Sequence, residues 1–586
     1  MQKDIRGRTL IEIQMSLINN KLTSENTTED TGKVYYSKQN YSDKSKPHTA
    51  YATLEKDYWF LDGTKENIPD SNYAVQPLIY EYLTNENCEF GEDAKPTITI
   101  TATDTSQTYS LIGIAFNFDE IDGDYATDIT IERYANGVLI GTHNISNNLI
   151  KYESEFSLED FHQLKIYFNK MNKPYRRLRL TEMTLGLLVE YTENDVIETI
   201  HNKEVDPLSR ELIQNSFEFT VDNYSGQYNA DNPTTTNKFL QDFQEISVKY
   251  FQELDEGTYE ELDGGKYYLK GTPTVNKNEA TFTATGIVEQ MTDIYYRTYD
   301  ENGISFKALL EDIFAKKVMP SSLGSINYEI DESLGAIICN VPIPALPANE
   351  LIQLICNATN MICFEDRQGV IHIAPNNTET VDYKYDLNEQ YSYPKVSTLA
   401  KLKNINVNYY NKKISTENKE IFSDTYTNLT VGEVTTIMVT YSNPCKGAVA
   451  TVTNATVNSV TYYAYGCELN ITPTSASVSV TIKGYEIEIN NSIATLKVNE
   501  NGEDCDIDNS LITSREQAIN VANQFKQYLL YRNTYAIETR GNIAIDINDV
   551  VKMETQFSNE IQGIITSNKL TYNGAIKSDL EIKGLF

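Results

Sequence analysis

Residues 215–291 constrain the fold of this chain more than any other stretch. Phe217, Phe219 and Val221 alternate with Glu218, Thr220 and Asp222, the period of a strand with one buried face. Ile246, Val248 and Tyr250 then alternate with Glu245, Ser247 and Lys249. Tyr267 and Leu269 follow an Asp263-Gly264-Gly265 turn, and Ala280, Phe282 and Ala284 repeat the pattern against threonines. Four such strands, separated by turn residues, make an antiparallel sheet or a small barrel.

A chain of 586 residues is too long for one core, so it divides into domains. Its 41 Tyr and 20 Phe, with abundant Thr, Val and Ile, favour strands. The fold class expected is mainly β with α+β elements. The net charge of −34 argues against sequence-specific nucleic-acid binding, which draws affinity from Lys and Arg on phosphates. No stretch approaches the ~18 apolar residues of a membrane span. Seven scattered Cys, none in a CxxC pair, read as thiols of a chain folded in a reducing cytosol.

In chain order, residues 1–30 supply one or two strands that join the first barrel. Residues 31–190 carry short strands and turns at Asp122-Gly123 and Asn136-Gly137, which reads as a β-sandwich. The run from Gly113 to Ile145 is similar to discoidin-like, galactose-binding sandwiches, which implies sugar or surface binding. Residues 191–214 are a polar junction, and 191–300 form the first β-barrel. Within 301–380, Ser305 precedes an apolar stripe of Phe306, Leu309, Leu310, Ile313 and Phe314, and Asn349 is expected to cap a second helix. A hairpin around Asp366-Arg367-Gln368-Gly369 completes a helix-hairpin unit. Residues 381–433 and 511–586 make the second barrel, starting with the alternation at 401–410 and including a helix whose Ser514 and Gln517 form a capping box. Residues 434–510, rich in Thr, Val and Tyr, are an inserted β domain or arm.

Two groups of side chains are candidate sites. Asp119, Asp122, Asp124 and Asp128 crowd one loop of the sandwich, and hard carboxylate oxygens suit Ca²⁺; a solvated acidic turn explains the same residues. Tyr58 and Trp59 suit stacking on a sugar ring, or core packing. The five His, at 48, 143, 162, 201 and 372, do not pair with Cys or Glu at ligand spacing, and neither a GxSxG elbow nor a phosphate-binding loop is present. No catalytic residue and no cofactor other than Ca²⁺ is expected.

Three pieces together resemble the hub protein of a phage tail baseplate or of a tail-like bacteriocin. They are SRELIQNSFEFTVDNYSGQYNADNPTTTNKFL with ISVKYFQEL and GKYYLKGTPTV; ELIQLICNATNMICFEDRQGVIHI; and REQAINVANQFKQYLLYRNTYAIETRGN with the closing LTYNGAIKSDLEIKG. The resemblance implies two hub β-barrels in a homotrimeric ring at the end of the tail tube, a non-enzymatic virion protein assembled in the bacterial cytoplasm. Its implied partners are tail tube or tube-initiator proteins, a spike or tail-tip protein, and baseplate wedge or peripheral proteins. The sandwich and the insert are additions to a minimal hub. The alternatives are an adhesin that binds a host-surface glycan through the sandwich, and a tail-tip cell-wall hydrolase, for which no hydrolase domain follows the hub.

Overall fold

The computed structural model describes residues 8–19, 22, 26–31, 33–35, 78–80, 82–118, 123–232, 236–255, 257–316, 326–377, 380–530 and 532–584. The protein is mostly strand, and its largest element is one 14-stranded sheet. The main path runs Leu188–Thr192, Thr9–Ser16, Glu245–Asp255, Thr258–Leu269, Glu279–Thr285, Gln214–Asp222, Val196–Glu204, Ile561–Tyr572, Ile576–Gly584, Asn533–Arg540 and Lys395–Thr398.

The alternation at 217–221 and 246–250 decides which face of this sheet is buried. Phe217, Phe219, Val248, Tyr250, Tyr267 and Phe282 enter one core. Their rings stack, with centroids 5.2 Å apart for Phe217 and Tyr267 and 4.9 Å for Phe219 and Phe282; such pairs add about 0.5–1.5 kcal/mol each beyond burial. A second core, with Tyr385, Tyr535, Ile537, Met553 and Ile582, lies under the C-terminal strands.

The two expected barrels are not two closed bodies. Among the described residues the sheet is open and continuous, because Val196–Glu204 pairs with Gln214–Asp222 on one side and with Ile561–Tyr572 on the other. By sequence alone that strand belongs to the polar junction of 191–214. Residues 401–410, expected in the second barrel, also lie elsewhere. They begin Leu402–Thr427, which leaves the large sheet and pairs with Ser477–Lys497 from Asn404↔Lys497 to Thr427↔Ser477. At a strand's rise per residue the 26-residue member spans about 80 Å. The base of this ribbon (Ile405, Val407, Ala494) packs on the helices, and its far end (Val478, Val480, Ile482) packs on Ile437, Val439, Leu469 and Ile471.

The helices Phe306–Ala315, Ala348–Thr359 and Arg515–Leu530 share a core through Leu309, Ile313, Leu351, Ile355, Val521 and Phe525. Ser305 caps the first, its hydroxyl accepting from Ala308 N at 3.2 Å. Pro347, not Asn349, stands at the N-cap of the second, and Asn349 Oδ1 accepts from its neighbour Glu350 N at 2.8 Å. At the third, Ser514 Oγ accepts from Gln517 N at 3.1 Å, while Gln517 Oε1 accepts from Thr513 N at 2.9 Å. The return arm of the capping box is thus displaced by one residue.

Two five-stranded sheets face each other across the remaining core. Ile98, Ile131, Ile166 and Phe168 meet Phe116, Phe118 and Leu180 there, forming a sandwich. It enters and leaves through adjacent strands, since Thr9–Ser16 pairs with Leu188–Thr192.

Candidate functional site

Asn215, Glu289 and Glu365 meet where the large sheet touches the helix-hairpin unit, and a buried cation and a histidine lie behind them. Along Val196–Glu204 the core-facing positions are Thr199, His201 and Lys203, polar groups where the strand's geometry calls for apolar ones. Lys203 is 3% exposed. Its ammonium lies 2.8 Å from Asp546 Oδ2 and donates to the Glu365 carbonyl at 3.4 Å. Arg367 Nε is 3.4 Å from the same carboxylate oxygen, and Arg367 Nη2 donates to the Ile545 carbonyl at 3.2 Å. Burial by itself would raise the Asp546 carboxyl, but Lys203 and Arg367 hold it below the usual carboxylate range.

Burial pushes His201 down to about 3, with Lys203 adding to the shift, so its imidazole is neutral. Its Nε2 hydrogen-bonds the Tyr267 hydroxyl, which also lies 3.2 Å from the Gly264 carbonyl. Because that carbonyl only accepts, a chain from Nε2–H to the hydroxyl to Gly264 satisfies every group. Glu365 sits at the start of the short helix Ile287–Gln290, accepting from Val288 N at 2.7 Å, Ile287 N at 3.2 Å and Asn215 Nδ2 at 3.0 Å. Burial raises its carboxyl, with those donors opposing. Glu289, accepting from Asn215 N, is pushed up to about 7 by burial. Gly286 makes the approach possible, since a Cβ there would lie 2.3 Å from Glu365 Oε2.

The chemistry open to this cluster is limited by access. His201, Lys203, Tyr250, Arg367 and Asp546 line a cavity of about 20 Å³, room for about one water molecule and none for a substrate. Lys203, Arg367 and Asp546 are spent on one another, which makes the cluster a polar pin. It joins strand 196–204, hairpin 362–374 and the turn at 542–549, across as many as 343 residues of sequence.

The sequence-derived candidates fall elsewhere. Tyr58, Trp59, Asp119 and Asp122 lie outside the described residues. Asp124 is fully buried, with Lys173 Nζ at 2.8 Å, Arg176 Nε at 3.5 Å and Arg179 Nη1 at 4.0 Å, so a metal ion there would compete with three cations. Asp128 accepts from Asn169 Nδ2 at 3.0 Å. Among the described residues no group of three His, Cys, Asp or Glu is placed to hold a metal, and no helix is long and apolar enough to cross a membrane. The pin has one signal in the sequence: His201 and Lys203 share a parity in an otherwise strand-like VIETIHNKE.

No protein-family model and no curated protein matches the chain. Among solved structures it is similar to the 43 kDa tail protein of prophage MuSo2 from Shewanella oneidensis (10% identity, TM-score 0.39, covering 67% of this chain and 95% of that one). It is also similar to a tail protein from Neisseria meningitidis MC58 (6%, 0.38, 67% and 93%). A third is prophage tail protein gp18 from Listeria monocytogenes EGD-e (11%, 0.33, 67% and 91%).

Proposed function

We propose that this chain is a structural hub protein of a phage tail or tail-like particle. In this reading, copies assemble as a homotrimeric ring at the distal end of the tail tube, between tube-side proteins and a spike or tip protein. One observation carries it: the three stretches that resemble a tail hub, scattered from residue 209 to 584, come together as one body. Gln214–Asp222 and Ile561–Tyr572 flank the same strand, and Asn215 bonds Glu365 of the helix-hairpin unit. A non-catalytic role is supported by the size of the pin's cavity, about 20 Å³, which admits about one water molecule. The two ends of the open sheet, Leu188–Thr192 and Lys395–Thr398, offer edges that neighbouring copies would cover. Mass photometry and electron microscopy of the purified full chain test this. A three-copy ring with a central pore is expected, and a chain that stays monomeric at high concentration overturns the ring.

A second reading assigns the sandwich to attachment. Val138, Leu139 and Ile140 are exposed on its edge strand Val138–Ser146, which supports docking to a partner surface. A glycan array probed with the full chain separates the cases: sugar binding makes the protein an adhesin, and silence leaves the sandwich as a protein-docking surface.

A further inference from the structure

A cavity of about 130 Å³ lies beside the C-terminal end of helix Arg515–Leu530, away from the pin. Its charged lining residues are Lys401, Lys526 and Arg532, and its apolar wall is Leu402, Val498 and Leu529. The chain has 83 Asp and Glu against 49 Lys and Arg, so three cations and no carboxylate among the described lining residues run against composition. None of the three forms an ion pair with any described residue. Arg532 follows the helix's carbonyl end, where a cation offsets the dipole. The dipole accounts for neither Lys401 nor the apolar wall.

The walls are fixed by hydrogen bonds. Arg532 Nε donates to the Leu399 carbonyl at 2.7 Å, and Leu399 N returns a bond to the Arg532 carbonyl at 2.9 Å. Asn499 Nδ2 donates to the Leu402 carbonyl at 2.7 Å. Glu503 N donates to the Lys401 carbonyl at 2.9 Å. Gly502, at φ +145°, permits the close turn, since a Cβ there would lie 2.3 Å from that carbonyl. A site fixed in advance loses little entropy on binding.

We propose that this cavity binds a carboxylate carried on an apolar group, supplied by a partner protein as a C-terminal residue or as an acidic side chain. The volume is close to that of a cavity of about 150 Å³ that accepts benzene, so it encloses a group of about six heavy atoms and is too small to enclose a nucleotide. The apolar half of the lining needs an apolar body. A fully polar ion such as phosphate leaves that apolar half unfilled, and the field of a chain at −34 repels a polyanion. The inference stands apart from the tail reading, because it rests on the cavity alone.

The test uses the full chain and lysine-acetylation footprinting read by mass spectrometry at Lys401 and Lys526. The probes are N-acetyl-leucine for a chain terminus, N-acetylglutamic α-amide for an acidic side chain, N-acetyl-leucinamide and inorganic phosphate. One or both carboxylate probes should protect the two lysines saturably, the one that binds more tightly naming the source, and the uncharged amide should not protect them. Isothermal titration with the better probe should show affinity falling at least tenfold in Lys526→Gln and weakening with salt; Lys401→Gln should give a smaller loss. Thermal unfolding unchanged from the parent chain establishes that both variants fold. Absence of saturable binding, equal protection by the amide, tighter binding of phosphate, or affinity indifferent to both substitutions overturns the proposal.

Discussion

Two ion-paired carboxylates, Asp124 fully buried and Asp546 23% exposed, hold this molecule together in different ways. Asp124, in the sandwich, is enclosed by Lys173, Arg176 and Arg179, all some 50 residues away and within the same domain. Asp546, in the large sheet, is paired with Lys203 and Arg367 from distant parts of the chain. The first fastens a loop onto its own domain. The second closes the body on itself, and one of its partners, Lys203, is almost without water. A buried pair adds little net stability over an apolar replacement, but removing one partner leaves an uncompensated charge. Both clusters are therefore sensitive to single substitutions, with different reach.

The largest effect is expected from Asp546→Asn, which strands Lys203: about 3–5 kcal/mol lost, with limited proteolysis opening sites near both 196–204 and 561–572. Equal protease resistance in variant and parent would remove the pin from the account. Asp124→Asn should cost less, about 2–3 kcal/mol, because Lys173 and Arg176 are 42% and 31% exposed and can turn to water while only Arg179 stays buried. Its cleavage sites should stay inside the sandwich, and cleavage in the large sheet would erase the distinction between the two clusters. Next, Gly286→Ala forces a methyl against Glu365 and should lower the body's melting transition by about 2 kcal/mol, leaving the sandwich transition in place.

Acid should also separate the regions. His201 has a folded value of about 3 against about 6.5 unfolded, so between those values the unfolded chain holds the extra proton. Its contribution to stability is present above about pH 6.5 and is lost on acidification, by about 1.4 kcal/mol per pH unit. Glu289, raised to about 7, and Glu365, also raised, act oppositely: their contribution is present at low pH and lost as pH rises through the folded value. The His201 part is isolated by unfolding the parent and His201→Gln from pH 7 to 4. The gap between them should shrink as pH falls, and a constant gap would contradict a buried neutral imidazole. The smallest effect belongs to the arm, where Lys446 and Glu301 pair at the surface. Lys446→Ala should cost under about 1 kcal/mol, and a larger loss by calorimetry would make that contact a true anchor of the arm.

The legible parts of the fold are those written in short-range periodicity. Phe217, Phe219 and Val221 announce a half-buried strand within five residues, and Phe306, Leu309, Leu310 and Ile313 announce a helix within eight, since side-chain direction follows backbone period. Barrel closure was not legible. Whether the strands of 215–291 close on themselves or continue into Ile561–Tyr572 depends on which edge Val196–Glu204 finds, a choice among partners hundreds of residues apart. The ribbon was half legible. Alternation at 401–410 correctly implies a strand, yet alternation does not name the neighbour, and Leu402–Thr427 takes Ser477–Lys497 in place of the large sheet.

By itself, then, the sequence determined the strand and helix periods, the acidic surface and the resemblance to a tail hub, all properties of local order and composition. Tertiary structure decided that the sheet is one open surface, that His201 and Lys203 face inward onto Asp546 and Arg367, and that Lys401 meets Lys526 and Arg532 around a cavity. The physical reason is that burial and charge pairing depend on distance in space. A lysine at 203 and an aspartate at 546 have no relation along the chain until folding sets them 2.8 Å apart.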